Sequence, residues 1–271
     1  MPHTLSHDAR IYWRTDGNPQ LPALVLGNSL GTDFSLWDVV LPRLLRHFYV
    51  VRYDMRGHGA SDAPAGDYTL DVLTDDLAAV VAAAGLERFH YCGVSLGGMV
   101  GMNYAARRPA GLDHLVLCNT TPKFPDPALW ATRIGAVNQG GMASIAEAGI
   151  GRFFSSDFVA INNMDCQRVR NTLLGISPQG YVGCCAAIRD MDLTDKLAQI
   201  AAPTLVITGE FDQSTPPAMG QAIAQAIQGA EHVNLRSAHI PCVEVPVAFC
   251  DAVAGFLAPD DVDSDASRYA A

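Results

Sequence analysis

Short apolar runs alternate with amphipathic stretches along most of this chain, and that alternation constrains its fold more than any other feature. Runs of strand length fall at residues 23–26, 48–53, 89–92, 114–118, 204–208 and 232–235, each bounded by turn-forming residues. Between most of them the spacing is helical; the clearest stretch, residues 70–84, follows Thr69 and ends at Gly85, a cap and a stop. Strands separated by helices pair in parallel, and a parallel sheet needs helices on both faces. The chain is therefore expected to be an α/β protein with a mostly parallel central sheet. Residues 10–14 and the Asp16-Gly17 turn predict an antiparallel hairpin at the start of that sheet. From about 122 to 194 helical periodicity continues without a strand, which reads as a helical insertion lying as a lid over the crevice at the strands' carboxyl ends. The expected organisation is a core formed by residues 1–121 and 195–258, a lid at 122–194 and a disordered acidic tail at 259–271.

Composition excludes several function classes. The chain carries 28 acidic against 18 basic residues, a formal charge of −10, so nucleic-acid binding is not expected of it. No apolar segment reaches the length of a membrane helix and the first residues lack the pattern of a signal peptide, which predicts a cytoplasmic protein without a membrane partner. Seven cysteines, an odd number without a C-x-x-C pair, read as reduced packing thiols, with neither disulfide nor metal site expected.

Within the alternation, Gly93-Val94-Ser95-Leu96-Gly97 places a serine between a strand-like run and a helix-like one. Small neighbours permit a tight strand-turn-helix elbow that lifts the hydroxyl clear of the sheet. A glycine-rich turn whose serine only caps the helix has the same local pattern, so partners are needed to choose between the two. A nucleophilic serine requires a base. Of eight histidines, His239 follows the last core run directly, in Arg236-Ser237-Ala238-His239-Ile240-Pro241; His58, after an earlier run, is the rival, although its glycine-rich setting suits a structural turn with Asp54 and Arg56 as a local ion pair. A carboxylate must then orient the imidazole. Asp212, after the 204–208 run, is the candidate, with Glu210 as competitor. Ser95, Asp212, His239 is the chain order of α/β-hydrolases. Two backbone N–H groups for an oxyanion are expected from Leu96, which follows the serine, and Leu30, in the Gly27-Asn28-Ser29-Leu30-Gly31 loop.

Several stretches together resemble the 3-oxoadipate enol-lactonases within the α/β-hydrolase superfamily. They are Asn28-Ser29-Leu30-Gly31, Arg52 through Ser61, Cys92 through Gly101, Cys118 through Lys123, Tyr181 through Asp192 and Asp212 through Pro217. The similarity spans about residues 10–257, and Ser95, Asp212 and His239 fall on the family's triad positions. The segment Ser237-Ala238-His239-Ile240-Pro241-Cys242-Val243-Glu244 departs from the Ala-His-Leu-Ser-Asn-Val-Glu of those lactonases. The resemblance implies a serine hydrolase that opens 3-oxoadipate enol-lactone in the β-ketoadipate pathway of aromatic degradation, without metal or organic cofactor. Its partner is a small anionic lactone, and an acidic protein needs a local cation to receive it. Trp130 and Arg133, three apart on an expected lid helix, offer an apolar wall beside a donor fork. A carboxylesterase or a carbon–carbon hydrolase can use the same triad, and a ligand receptor can keep the scaffold without the chemistry.

Overall fold

A computed structural model describes residues 2–161 and 164–258; the acidic tail expected at 259–271 lies outside the described residues. Eight strands form one sheet: β1 (His3–Ser6), β2 (Ala9–Asp16), β3 (Ala23–Gly27), β4 (Tyr49–Tyr53), β5 (Phe89–Val94), β6 (Leu112–Cys118), β7 (Thr204–Gly209) and β8 (Glu231–Leu235). Their spatial order is β1-β2-β4-β3-β5-β6-β7-β8, with β1–β2 and β2–β4 antiparallel and every other pair parallel. All six apolar runs are strands. The amino-terminal hairpin exists, but its turn is at His7 and Asp8, and β2 then pairs with β4 rather than folding back at Asp16-Gly17. Polar, four-residue β1 at the sheet edge has no apolar face to announce it.

Helices fill the connections: α1 (Leu41–Leu44), α2 (Leu70–Ala83), α3 (Leu96–Ala106), α4 (Ala128–Gly140), α5 (Ala146–Phe153), α6 (Ser156–Ala160), α7 (Met164–Gly175), α8 (Pro178–Asp190), α9 (Pro217–Ala226), α10 (Pro241–Glu244) and α11 (Pro246–Leu257). The Thr69 hydroxyl caps α2 by accepting the Val72 N–H at 3.2 Å, and Gly85 follows at φ 66°, as the spacing predicts. All eleven residues of α3 are buried, the signature of a helix enclosed on every side. Helices α4 to α8 all fall between β6 and β7, with no strand among the described residues of that interval.

Register places the site. Gly27 pairs with Gly93, Val94 with Cys118, Cys118 with Ile207 and Gly209 with Leu235. The carboxyl ends of β3, β5, β6, β7 and β8 are therefore level, and the loops that follow them converge on one edge of the sheet. Packing beneath these loops is close enough to require glycine. A Cβ on Gly97 would lie 2.2 Å from the Gly27 carbonyl oxygen, so the start of α3 touches the end of β3 backbone to backbone. The Gly97 N–H donates to the Asn28 carbonyl at 2.9 Å, and the Tyr91 hydroxyl donates to the Gly97 carbonyl at 2.8 Å.

Candidate active site

Ser95 stands between β5 and α3 at φ 56°, ψ −114°, a backbone conformation that costs roughly 1–3 kcal/mol and persists only where surroundings impose it. Those surroundings are visible. The Ser95 N–H donates to the Cys118 carbonyl at 2.9 Å, and the Thr120 hydroxyl donates to the Ser95 carbonyl at 2.8 Å. Both come from the end of β6, so the neighbouring strand clamps the turn.

His239 follows β8, and its Nδ1 lies 2.8 Å from Asp212 Oδ2. Asp212 is buried and both its oxygens are occupied: Oδ2 also accepts the Thr215 hydroxyl at 2.7 Å and the Asn119 amide at 2.8 Å, while Oδ1 accepts the Ser214 and Thr215 N–H groups at 2.8 and 3.0 Å. Burial works to raise this carboxyl's pKa, but the charge and hydrogen bond of His239 and the donors of Thr215 outweigh it and hold the carboxyl below its ordinary value. Glu210 is exposed, away from the imidazole contact. The His239 ring stacks on Phe153, with centroids 6.1 Å apart and planes at 11°. The Phe153 carbonyl accepts the N–H groups of both His239 and Ile240 at 3.1 Å, and Glu244 accepts the Ala238 N–H at 2.9 Å. The loop carrying the imidazole is thus fixed from two directions.

Ser95 and His239 line one cavity of about 400 Å³, together with Leu30, Trp130, Arg133 and Tyr181. Among the described residues neither the Leu30 nor the Leu96 N–H has an acceptor in the protein, which leaves both available beside Ser95. Trp130 is buried, its ring 5.0 Å from that of Phe124. The Arg133 guanidinium lies 4.5 Å above the indole, and among the described residues no acid pairs with it. The helical spacing of Trp130 and Arg133 thus places both on the cavity wall. No group of three or more His, Cys, Asp or Glu among the described residues is arranged to hold a metal, and all seven cysteines are free and buried. No helix of the described chain is long and apolar enough to cross a membrane.

His58, the rival base, is placed elsewhere. Its Nε2 accepts the Gly31 N–H at 3.0 Å and its Nδ1 donates to the Arg56 carbonyl at 3.1 Å, so it ties the β4 loop to the Leu30 loop. Asp54 and Arg56 do not form the expected local pair. The turn through Gly57 and Gly59 folds the Ala60 N–H back onto Asp54, which also accepts the Phe34 N–H at 2.7 Å. Arg56 instead forks onto buried Asp76 at 2.8 and 2.9 Å. Burial pulls the His58 pKa down to about 4, whereas an unfolded histidine titrates near ~6.5. As pH falls through that window the unfolded chain takes up the proton first, so the stability present above about pH 6.5 is lost toward about pH 4. Burial lifts Asp54 to about 6; the native chain binds that proton first, which offsets part of the loss. His58→Gln is expected to flatten the fall of Tm between about pH 6.5 and 4.5, measured by thermal melts across that range. A slope equal to the wild type's would refute the assignment.

Residues 22–173 match the family described as the alpha/beta hydrolase fold. The chain is 32% identical to 3-oxoadipate enol-lactonase 2 of Acinetobacter baylyi, over 92% of this chain and 93% of that protein. It superposes with a TM-score of 0.92 on the crystal structure of the enol-lactonase from Burkholderia xenovorans LB400, at 36% identity, covering 94% of this chain and 99% of that one. A protein named for carbamate hydrolysis, RutD of Caulobacter sp. (strain K31), is 28% identical over 91% of this chain and 95% of its own length.

Proposed function

This chain belongs to the α/β-hydrolase family, and from that premise we propose that it opens the ring of 3-oxoadipate enol-lactone to give 3-oxoadipate, a step of aromatic-compound degradation. One observation carries the substrate class: a serine on a strained elbow shares its cavity with Trp130 and with an arginine that no acid among the described residues neutralises. An arginine fork suits a carboxylate, and a lactone bearing one would be held by it while its ring carbonyl reaches Ser95. The enol-lactonases of Acinetobacter and Burkholderia support the same reading.

In this mechanism His239 takes the Ser95 hydroxyl proton and Asp212, hydrogen-bonded to its Nδ1, fixes the tautomer and stabilises the imidazolium. The Ser95 oxygen attacks the ring carbonyl, and the N–H groups of Leu30 and Leu96 receive the negative charge that develops, each such donor being worth about 3–4 kcal/mol. Collapse breaks the ring carbon–oxygen bond. The enol oxygen leaves taking the proton that His239 holds, and the enol ketonises; the acyl group stays on Ser95 and His239 is neutral again. Water then gives a proton to His239 and its oxygen to the carbonyl carbon, and the Ser95–acyl bond breaks as His239 returns that proton to the Ser95 oxygen. Apart from that water, every group used belongs to the chain. Helices α4 to α8 act as the lid, contributing Trp130, Arg133 and Tyr181 to the cavity.

Turnover of the enol-lactone beside a neutral phenyl ester tests this reading, with a small carbamate in the same panel because of the RutD relative. Arg133→Ala is expected to cut kcat/KM for the anionic lactone by roughly 10–100-fold, the value of one charge-assisted hydrogen-bond pair, and to leave the phenyl ester within about threefold. Equal losses on both substrates would remove Arg133 from carboxylate recognition, and faster turnover of the ester or the carbamate than of the lactone would replace the proposed substrate.

A further inference from the structure

Arg152, near the end of α5, lines the same cavity as Ser95, His239 and Arg133. Among the described residues it makes no ion pair and no side-chain hydrogen bond, and no acid pairs with Arg133 either. Burial, and then the charge of Arg133, pull the Arg152 guanidinium below its ordinary value, so the two cations are close enough to oppose each other. Tyr181 lines the same cavity; burial raises its hydroxyl's pKa, and the charges of Arg133 and Arg152 oppose that rise. Among the described residues no Asp or Glu lines the cavity. The carboxylate of Asp212 sits behind the imidazole with its oxygens taken by five donors and has none of its acceptor capacity left for the cavity wall.

Two like charges held together and partly withdrawn from water are unfavourable until an anion joins them. A ligand with a single carboxylate fills one fork. Ring opening of the proposed lactone adds a second carboxylate, and the cavity wall already holds a second cation. We propose that Arg152 and Arg133 together make this cavity a receptor for short dicarboxylates, the chemical class of the hydrolysis product, with Arg152 the specificity-determining residue for the second carboxylate. The lactonase reading enters only in saying where that second carboxylate comes from. One consequence is that product, carrying both charges, is held more firmly than substrate.

Adipate tests this directly, since it has two carboxylates on a six-carbon chain and no bond for the enzyme to hydrolyse; 6-hydroxyhexanoate replaces one carboxylate with an uncharged hydroxyl group at equal length. By calorimetry the wild-type protein is expected to bind adipate at least about tenfold more tightly than 6-hydroxyhexanoate, the size of one charge-assisted contact. Arg152→Gln should reduce that preference to under about threefold, and Arg152→Lys, which keeps the charge without the fork, should retain part of it. Equal binding of the two ligands by the wild type, or a preference that survives Arg152→Gln, overturns the proposal. If Arg152→Gln fails to fold, Arg152→Lys and the wild-type comparison decide. The result is independent of the lactonase assay: adipate preference without lactone turnover leaves the dicarboxylate site standing and removes the proposed reaction, whereas lactone turnover without the preference does the reverse.

Discussion

Ser95→Ala is expected to lose on the order of 10⁴-fold or more in kcat on any substrate the protein hydrolyses, while remaining folded. The loss is large because in the proposed mechanism the Ser95 oxygen forms the covalent bond of the acyl-enzyme, and Ser95 is the hydroxyl that stands on the strained turn in the cavity shared with His239. Folding survives because nothing that shapes the site depends on that oxygen. Asp212 is held by Asn119, Ser214 and Thr215, His239 by Asp212 and by the Phe153 carbonyl, and the elbow by main-chain bonds to Cys118 and by Thr120. Alanine suffers at φ 56° about as serine does, so Tm should move by no more than about 2–4 °C. Residual rate, if measurable, reports what the Leu30 and Leu96 amides contribute without a nucleophile. Turnover within tenfold of wild type in a folded Ser95→Ala protein would take the serine out of the mechanism and with it the proposed function.

Gly97→Ala, a change of one methyl group, is expected to be severely damaging. The added Cβ would fall 2.2 Å from the Gly27 oxygen, 2.4 Å from the Gly27 carbonyl carbon and 3.0 Å from the Asn28 oxygen. All three are main-chain atoms at the end of β3, in the middle of the sheet, so no side chain can rotate to make room. Relief requires α3 to move away from β3, which stretches the Gly97–Asn28 and Tyr91–Gly97 hydrogen bonds, both in a buried setting. Overpacking and a weakened buried hydrogen bond together cost roughly 3 kcal/mol or more, equivalent to a fall in Tm of about 6–12 °C for a chain of this size. Displacing the Asn28–Leu30 loop also misaims an oxyanion donor, which should lower kcat by about 10²-fold in whatever protein remains folded. Thermal melts and kinetics on purified protein give both numbers. A variant that kept the wild-type Tm and kcat would show that the close crossing is not required.

The central sheet was legible because burial on both faces forces apolar runs, and glycine or polar turns bound each one. The edge strand β1 was not, since a short strand exposed on one side needs no such run: His3, Thr4 and Leu5 are exposed or nearly so and only Ser6 is buried. The meeting of Asp212 and His239 was foreseeable from position alone, because level strand ends bring the loops after β7 and β8 together. Asn119, by contrast, reads in the sequence as one more polar residue in the loop after β6. Its side chain instead donates to Asp212 and to the Ala238 carbonyl, a role that depends on a tertiary contact no local pattern encodes. Arg152 was hidden for a similar reason. An arginine near the end of an amphipathic helix reads as a solvated residue favoured by the helix dipole, and only the cavity distinguishes it from Arg170, which pairs with Glu147 at the surface. The pairing of Asp54 with Arg56 failed because a two-residue separation ignores what the glycine turn between them does to the backbone.

The carbonyl of Phe153 ends α5 and at the same time receives the N–H groups of His239 and Ile240, while its ring lies flat against the imidazole. If His239 is the base, base and lid are consequently one mechanical part in the proposed mechanism. The helices between β6 and β7 are not an accessory that could be exchanged for another family member's to alter specificity, because a transplanted roof must present a carbonyl and a flat ring at the same two places or leave the imidazole loose. Conversely, any ligand that shifts α5 by way of Arg152 pulls on the residue next to the base's anchor, so grip at the far end of the substrate and alignment at the reacting end are coupled through a single peptide unit.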